Sequence, residues 1–154
     1  MAQLEELIKQ TKFQNEKQKA LISVMLVSNL LNNHYEEFFK RFGLTQQQYN
    51  VLRILRGQFP TPCTVNLIRE RMLDRMSDAS RIVERLRKAG FVERVQSAKD
   101  RRAVDVLITR KGLNTLASIE TLDEELHLPA HNLSDEQAKQ LTALLQKMLD
   151  ALTD

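Results

Sequence analysis

Apolar side chains recur at three- and four-residue steps along most of the chain, and this spacing predicts a mainly helical protein. The first long run covers residues 14–42 and ends at Gly43, and a shorter run at residues 4–8 precedes it. The long run carries more apolar positions than one side of a small core requires. We therefore expect part of this first helix to pack on a partner chain.

Two later helices are predicted to begin with capping boxes, in which a Ser or Thr and a Gln three residues later exchange hydrogen bonds with each other's backbone. One starts at Thr45 and is expected to end at Gly57, and the other starts at Ser134. A further helix is predicted from residue 113 and is broken near Pro129. The helix after Ser134 has an apolar stripe that needs a surface to cover.

The middle of the chain, residues 64–112, follows a different order. It is predicted to form a short helix (64–72), a turn (73–75), a longer helix (76–89) closed by Gly90, a strand (91–96), a charged tip (97–102) and a second strand (103–108). Helix, turn, helix and charged hairpin is the order of a winged helix-turn-helix. In that arrangement the second helix enters a DNA major groove and the hairpin reaches the backbone or the minor groove.

The predicted second helix separates its residues by face. The apolar positions are expected to pack inward: Met76, Ala79, Ile82, Val83 and Leu86. Short polar groups near the helix start and long cations further along occupy the other positions: Ser77, Asp78, Ser80, Arg81, Arg85 and Lys88. Small residues let a helix approach the bases, and arginine forks bind guanine edges or phosphates. A merely solvated helix face has the same pattern, so the hairpin is what favours DNA.

The predicted hairpin carries the more specific signal at its tip. Lys99, Asp100, Arg101 and Arg102 lie there, whereas an ordinary hairpin needs only a turn signal such as Asn-Gly. Three cations at an exposed tip suit an electronegative minor groove. A carboxylate beside phosphate is unfavourable unless it holds an arginine in place. Asp100 is therefore predicted to orient Arg102 or Arg101 through a charge-assisted hydrogen bond.

Composition and charge fit this organisation. The 154 residues, 42% apolar and 28% charged, suit a single globular subunit. Residues 64–112 contain 13 Lys and Arg against 7 Asp and Glu, a net of +6, and the rest of the chain carries 10 against 13, a net of −3. A basic middle between acidic flanks predicts an anionic partner whose binding weakens with salt.

Three stretches together resemble the MarR family of bacterial transcription regulators. That family has a recognition helix ending in Leu-x-x-x-Gly-Leu-Val-x-Arg, a wing with Asp-x-Arg and an exit of Leu-Thr-x-x-Gly. The matching residues here are Leu86, Gly90, Phe91, Val92 and Arg94 at the helix exit, Asp100 and Arg102 in the wing, and Ile108, Thr109 and Gly112 at the wing exit. Phe91 and Ile108 are conservative departures. The combined pattern is specific, and the flanking helices extend the resemblance over nearly the whole chain.

The resemblance implies a fold that is mainly α with a small β-hairpin wing. Residues 1–154 would be one subunit, with dimerisation helices at 14–43 and 113–154 and the winged helix-turn-helix DNA-binding region at 44–112. It further implies a homodimer that binds double-stranded DNA at a pseudo-palindromic operator and acts as a repressor. A single cysteine, which cannot form an internal disulfide, is consistent with a cytoplasmic protein.

The same resemblance assigns roles to particular residues. The recognition helix would contact bases through Ser77, Asp78, Ser80, Arg81 and Arg85, the wing would contact DNA through Lys99, Asp100, Arg101 and Arg102, and the DNA backbone would be met by Thr64 and Arg75. Family members often release DNA when a small aromatic effector binds. Such a pocket would lie near His34, Tyr35 and Phe38, which otherwise are plain core residues.

One residue departs from the family pattern. Asp78 occupies a position that usually carries a small uncharged residue. Its carboxylate has two possible uses: it accepts from a cytosine amino group, or it pairs with Arg75 or Arg81 along the helix. The sequence favours the pairing and leaves the base contacts open.

Other chemistry finds little support in the sequence. His127 and His131 have a zinc-compatible spacing, but Pro129 between them breaks the helix, so no metal site and no cofactor are expected. Cys63 is interpreted as a small buried hydrophobe rather than a redox sensor. No catalytic constellation, secretory signal or membrane span is recognised, and the chain is not expected to be an enzyme. Two alternatives remain: a winged helix that binds protein instead of DNA, and an architectural protein that binds all duplexes alike.

Overall fold

The computed structural model describes residues 3–153 of the chain. The elements are α1 (Leu4–Ile8), α2 (Glu16–Lys40), α3 (Gln46–Gln58), α4 (Val65–Arg71), α5 (Ala79–Lys88), β1 (Val92–Gln96), β2 (Val104–Ile108), α6 (Arg110–Glu120), α7 (Asp123–Leu126), a 3-10 turn (Leu128–Ala130) and α8 (Asp135–Thr153). The predicted fold class is confirmed, because a mainly helical chain carries one antiparallel hairpin. The chain forms two compact units, one up to Leu116 and one from Ala117.

The core of the first unit lies where α3 meets α4, α5 and the hairpin. Most of its almost fully buried side chains are aliphatic, among them Val51, Leu52, Leu55, Ile68, Val83, Leu86 and Val106. Cys63 forms an isolated antiparallel β-bridge to the hairpin, since its backbone exchanges hydrogen bonds of 2.8 and 2.7 Å with Val106. This bridge ties the start of the helix-turn-helix to the second strand of the hairpin.

The long helix α2 begins where the Asn15 side chain accepts a hydrogen bond from the Gln18 amide. It ends before Gly43, whose φ of +69° is a left-handed conformation that glycine tolerates. Only its last turns are buried, at Phe38 and Phe39. Four large apolar residues nearer its start are more than half exposed: Leu21, Met25, Val27 and Leu30.

The predicted capping box of α3 is confirmed, with Thr45 and Gln48 exchanging hydrogen bonds of 2.9 and 3.1 Å. The predicted end at Gly57 is wrong, since α3 runs on to Gln58. The helix stops because Phe59 precedes Pro60 and takes an extended conformation, with ψ at 136°. A glycine inside the helix costs stability but does not by itself end it.

The second unit contains α7, the 3-10 turn and α8. The helix predicted from residue 113 begins earlier, at Arg110, and it ends at Glu120, well before the expected break at Pro129. The capping box of α8 is confirmed, because Ser134 and Gln137 exchange hydrogen bonds of 2.9 and 3.2 Å. No residue of α8 is buried, although the helix is strongly amphipathic. In residues 3–153, no helix is long and apolar enough to cross a membrane.

Candidate nucleic-acid interface

Helix α5, which corresponds to the predicted recognition helix, begins three residues later than the sequence predicts. It begins at Ala79, because Asp78 is extended and its Oδ1 accepts a hydrogen bond from the backbone N–H of Arg81 at 3.1 Å. Asp78 is therefore the N-cap of the helix. Asp78 does pair with Arg81, as one of the predicted options has it, but with the backbone amide of Arg81 at the start of the helix and not with its guanidinium.

The shorter helix changes the environment of Met76. The prediction that this side chain packs inward is wrong, because it lies in the turn before the helix and is 93% exposed. The helical period does not apply outside the helix. Ala79, Val83 and Leu86 do pack inward as predicted, and Ile82 is half-buried.

The turn between α4 and α5 is fixed by two residues that sequence reasoning missed. Asp74 accepts hydrogen bonds from the Met76 amide at 3.0 Å and the Ser77 hydroxyl at 2.6 Å. These bonds, that of the hydroxyl first, hold the pKa of Asp74 below its usual value. Asn50 on α3 accepts from the Leu73 amide at 2.9 Å. An Asp in a turn often accepts a hydrogen bond from the amide two residues later, and this Asx-turn signal could have identified Asp74.

Polar and cationic side chains of α5 are presented to solvent as predicted. Ser80, Arg81, Arg85 and Lys88 are all exposed. Among residues 3–153, no carboxylate forms an ion pair with the guanidinium of Arg81 or Arg85. Both groups therefore offer their full donor sets to a ligand.

Glu84 engages the other arginines near the C-terminal half of α5. It accepts two hydrogen bonds from Arg87, at 2.8 and 3.0 Å, and pairs with Arg94 of β1 at 3.0 Å. These arginine hydrogen bonds lower the pKa of Glu84. The trio links the recognition helix to the first strand of the hairpin.

The helix also joins the hairpin through a close glycine contact. Gly90 has a φ of +81° and directs the chain into β1, and its carbonyl accepts from the Thr109 hydroxyl at 2.7 Å. A Cβ added at Gly112 would lie 2.6 Å from the Phe91 carbonyl oxygen and 2.6 Å from Cγ1 of Ile108. The helix exit and the wing exit are thus packed together.

The wing projects from β1 and β2, whose register pairs Val92 with Ile108 and Gln96 with Val104. Lys99, Arg101 and Arg102 at its tip are exposed. The prediction for Asp100 names the right partner residue and the wrong group. Its Oδ1 accepts from the backbone N–H of Arg102 at 2.8 Å, so it shapes the turn rather than clamping a guanidinium.

The two residues predicted to meet the DNA backbone flank the helix-turn-helix. Thr64 is the N-cap of α4, and its hydroxyl accepts from the Leu67 amide at 3.1 Å. Arg75 donates to the Glu70 carbonyl at 2.8 Å. Both are exposed, and their contact with DNA stays a prediction.

The residues predicted to form an effector pocket make an aromatic cluster on α2. The His34 ring lies 5.3 Å from Tyr35 and 6.5 Å from Phe38, and burial raises the pKa of Tyr35. An open cleft of about 820 Å³ lies nearby, but the α2 residues that line it are Asn32, Glu36 and Lys40. The predicted trio is therefore absent from the lining of this cleft.

Cys63 and His127 are the remaining residues that the sequence analysis considered for redox or metal chemistry. Cys63 is buried, and burial raises the pKa of its thiol. His127 forms a 2.9 Å contact with Asp123. Within residues 3–153, no group of three potential ligands from His, Cys, Asp and Glu is assembled for a metal ion.

The exposed recognition helix and cationic wing define a protein of the winged helix-turn-helix class. The sequence profile of the MarR family matches residues 42–103. The chain is 25% identical over 130 residues to the HTH-type transcriptional regulator PapX of Escherichia coli, an alignment that covers 83% of this chain and 79% of PapX.

Solved structures agree. A MarR transcription factor from Planctomyces limnophilus superposes with a TM-score of 0.63 at 28% identity, over 92% of this chain and 97% of that one. A mutant MarR from Escherichia coli, crystallised with operator DNA, gives a TM-score of 0.73 at 22% identity, over 90% and 99%. The chain is therefore similar in sequence and fold to transcription regulators of the MarR family.

Proposed function

We propose that this protein is a homodimeric, sequence-specific DNA-binding repressor that is released from its operator by a small aromatic effector. The proposal depends on two features that occur together. Among the described residues, Arg81 and Arg85 on α5 have no carboxylate partner, and the hairpin that bears the cationic wing tip is connected to the same helix through Glu84 and Arg94. If the polar face of α5 were merely exposed to solvent, there would be no reason for a cationic hairpin to be fixed beside it. Solved structures with this fold include complexes with DNA, such as the MarR complex above and a MepR–DNA complex from S. aureus.

On DNA, α5 lies in the major groove and the wing lies over the adjacent minor groove. Ser80, Arg81 and Arg85 contact base edges, and Ser77 contributes its hydroxyl oxygen as an acceptor. Arg102 and its neighbours at the wing tip enter the minor groove. Thr64 and Arg75 meet phosphates. The cell's DNA is in the cytoplasm, where we place the protein.

The dimer is supported by apolar surface that the single chain leaves uncovered. α2 exposes Leu21, Met25, Val27 and Leu30, and α8 exposes Leu141, Leu144, Leu149 and Leu152. A single soluble chain rarely leaves this much apolar helix surface exposed. Two-fold symmetry then sets two recognition helices about 34–36 Å apart, so the operator is a pseudo-palindrome.

The effector part of the proposal rests on the aromatic cluster of α2. His34 Nε2 is shielded from solvent and, among the described residues, has no hydrogen-bond partner. A phenolic or carboxylate group would satisfy it. An effector needs to favour the state that cannot bind DNA by only a few kcal/mol to change occupancy.

The test is selection of bound duplexes from a random pool, followed by titration of the selected and shuffled duplexes across a salt series. Arg81→Ala should cost about 1–3 kcal/mol on the selected duplex and little on the shuffled one. Lys147→Ala on α8 removes the same charge and serves as the control. Selection of no common sequence, with binding that vanishes in salt, would leave an architectural protein. No binding at low salt would leave a protein-binding module.

A further inference from the structure

The turn before the recognition helix exposes a large apolar side chain within a basic surface. Met76 is 93% exposed, the highest value among the large hydrophobic residues of the described chain. Single exposed apolar residues are common and by themselves indicate no function. Its position is what distinguishes Met76: Arg75 precedes it, Ser77 and the Asp78 cap follow it, and Arg81 lies one turn into the helix.

Hydrogen bonds fix the backbone at this position. The Met76 amide donates to Asp74 at 3.0 Å, and the next residue, Ser77, donates to the same carboxylate at 2.6 Å. The preceding Leu73 amide is held by Asn50 of α3 at 2.9 Å. A restrained backbone that presents a flexible side chain at the start of the recognition helix is suited to contact with a ligand in front of that helix.

In a major groove, few groups are suitable for contact with the apolar side chain of Met76. The base edges of the groove carry hydrogen-bond donors and acceptors, and the one apolar group is the 5-methyl of thymine. A thioether on three rotatable bonds adapts to such a group. We propose that Met76 is a specificity residue that contacts a thymine methyl group in each operator half-site. This rests on the proposed function, because it requires α5 to lie in the major groove.

Leu73 in the same turn provides a matched comparison. It is 83% exposed, yet it lines the cleft beside Glu36 of α2 and Gln47 of α3 rather than standing next to the helix cap. Both residues are apolar and exposed, and both are in one turn. Only Met76 is expected to sense a thymine methyl.

The experiment uses the operator obtained from duplex selection and replaces its thymines one at a time with deoxyuridine, which removes only the methyl group. Wild-type protein should lose about fourfold in affinity at one thymine position per half-site, the value for one buried methyl group. Met76→Ala should abolish that loss. Met76→Leu should retain it, and Leu73→Ala should behave as wild type at every position.

Two results would overturn the inference, and they differ in what else they affect. If an operator is selected but each deoxyuridine costs wild type and Met76→Ala the same, Met76 contacts no thymine methyl while the proposed function stands. If no sequence is selected at all, the proposed function fails and the inference fails with it. Equal melting temperatures of the variants would show that the affinities report contacts and not folding.

Discussion

The winged helix-turn-helix and the flanking helices use their apolar residues in opposite ways. In the first, the apolar positions of α3, α4, α5 and the hairpin are buried within the chain: Leu52, Ile68, Val83, Leu86 and Val106. α8 buries none, and α2 buries only its last turns. Apolar positions at helical spacing are therefore buried within the chain in one region and left exposed in the other. One region completes its own core, and the other is expected to be completed by a second copy.

The largest effect should come from the self-contained core. Leu52 has no exposed surface, so Leu52→Ala should lower the free energy of unfolding by about 2–5 kcal/mol through lost burial and the remaining cavity. Urea unfolding followed by circular dichroism measures it. Met76→Ala, at an exposed position, should change stability by less than about 0.5 kcal/mol. Similar losses for both would contradict the described burial.

Substitutions in the exposed apolar face of α8 should weaken the proposed dimer rather than the folding of the subunit. Leu144→Asp on α8 places a charge in the proposed dimer interface and should raise the dimer dissociation constant on the order of 100-fold, the equivalent of about 3 kcal/mol. Sedimentation equilibrium measures the change. Lys139→Glu, toward the other side of the same helix, is the control for added negative charge. A dimer unaffected by Leu144→Asp would place the interface elsewhere.

Alanine substitutions at two glycines distinguish the effect of close packing on stability from the effect of helix propensity. Gly112→Ala puts a Cβ 2.6 Å from a backbone carbonyl and should cost about 1–3 kcal/mol. Gly57→Ala, inside α3 with nothing within 4 Å, should stabilise by about 0.4–1 kcal/mol. Thermal melts of the two variants should therefore move in opposite directions. Stabilisation by both would mean that the helix and wing exits are loosely packed.

The wing should show a smaller effect, seen in DNA affinity rather than stability. Asp100→Ala removes the acceptor for the Arg102 amide and should weaken binding to the selected duplex by about 1 kcal/mol, or fivefold. Asp100→Asn keeps the acceptor and should bind like wild type. Fluorescence anisotropy distinguishes them. Equal loss in both variants would indicate that the charge of Asp100, and not its turn, matters.

The turn should give the smallest effect on stability, one that is present at neutral pH and is lost in acid. The pKa of Asp74 is lowered, so its contribution to stability is present above about pH 4, the usual unfolded value, and is lost as pH falls through the folded value. Asp74→Ala should be less stable than wild type at pH 7 and approach it near pH 2. Adding Ser77→Ala should cost nothing further. A difference that does not depend on pH would exclude the carboxylate.

The order of helices, the wing and the capping boxes at Thr45 and Ser134 could be predicted, because they depend on local patterns that the fold does not override. The environment of Met76 could not, since the apolar spacing continues across Asp78, although the helix itself begins only after this cap. The partner atom of Asp100 also required coordinates. The sequence does not show whether a carboxylate accepts a hydrogen bond from a neighbour's backbone amide or from its guanidinium.

The Glu84 trio has a consequence for how DNA sequences would evolve. Because Arg94 of β1 and Arg87 of α5 share one carboxylate, the helix and the wing are held in fixed phase. On the proposed operator, the bases contacted in the major groove and those contacted in the adjacent minor groove would therefore have to keep a fixed spacing. An insertion inside a half-site should be as damaging as losing one of its two readings.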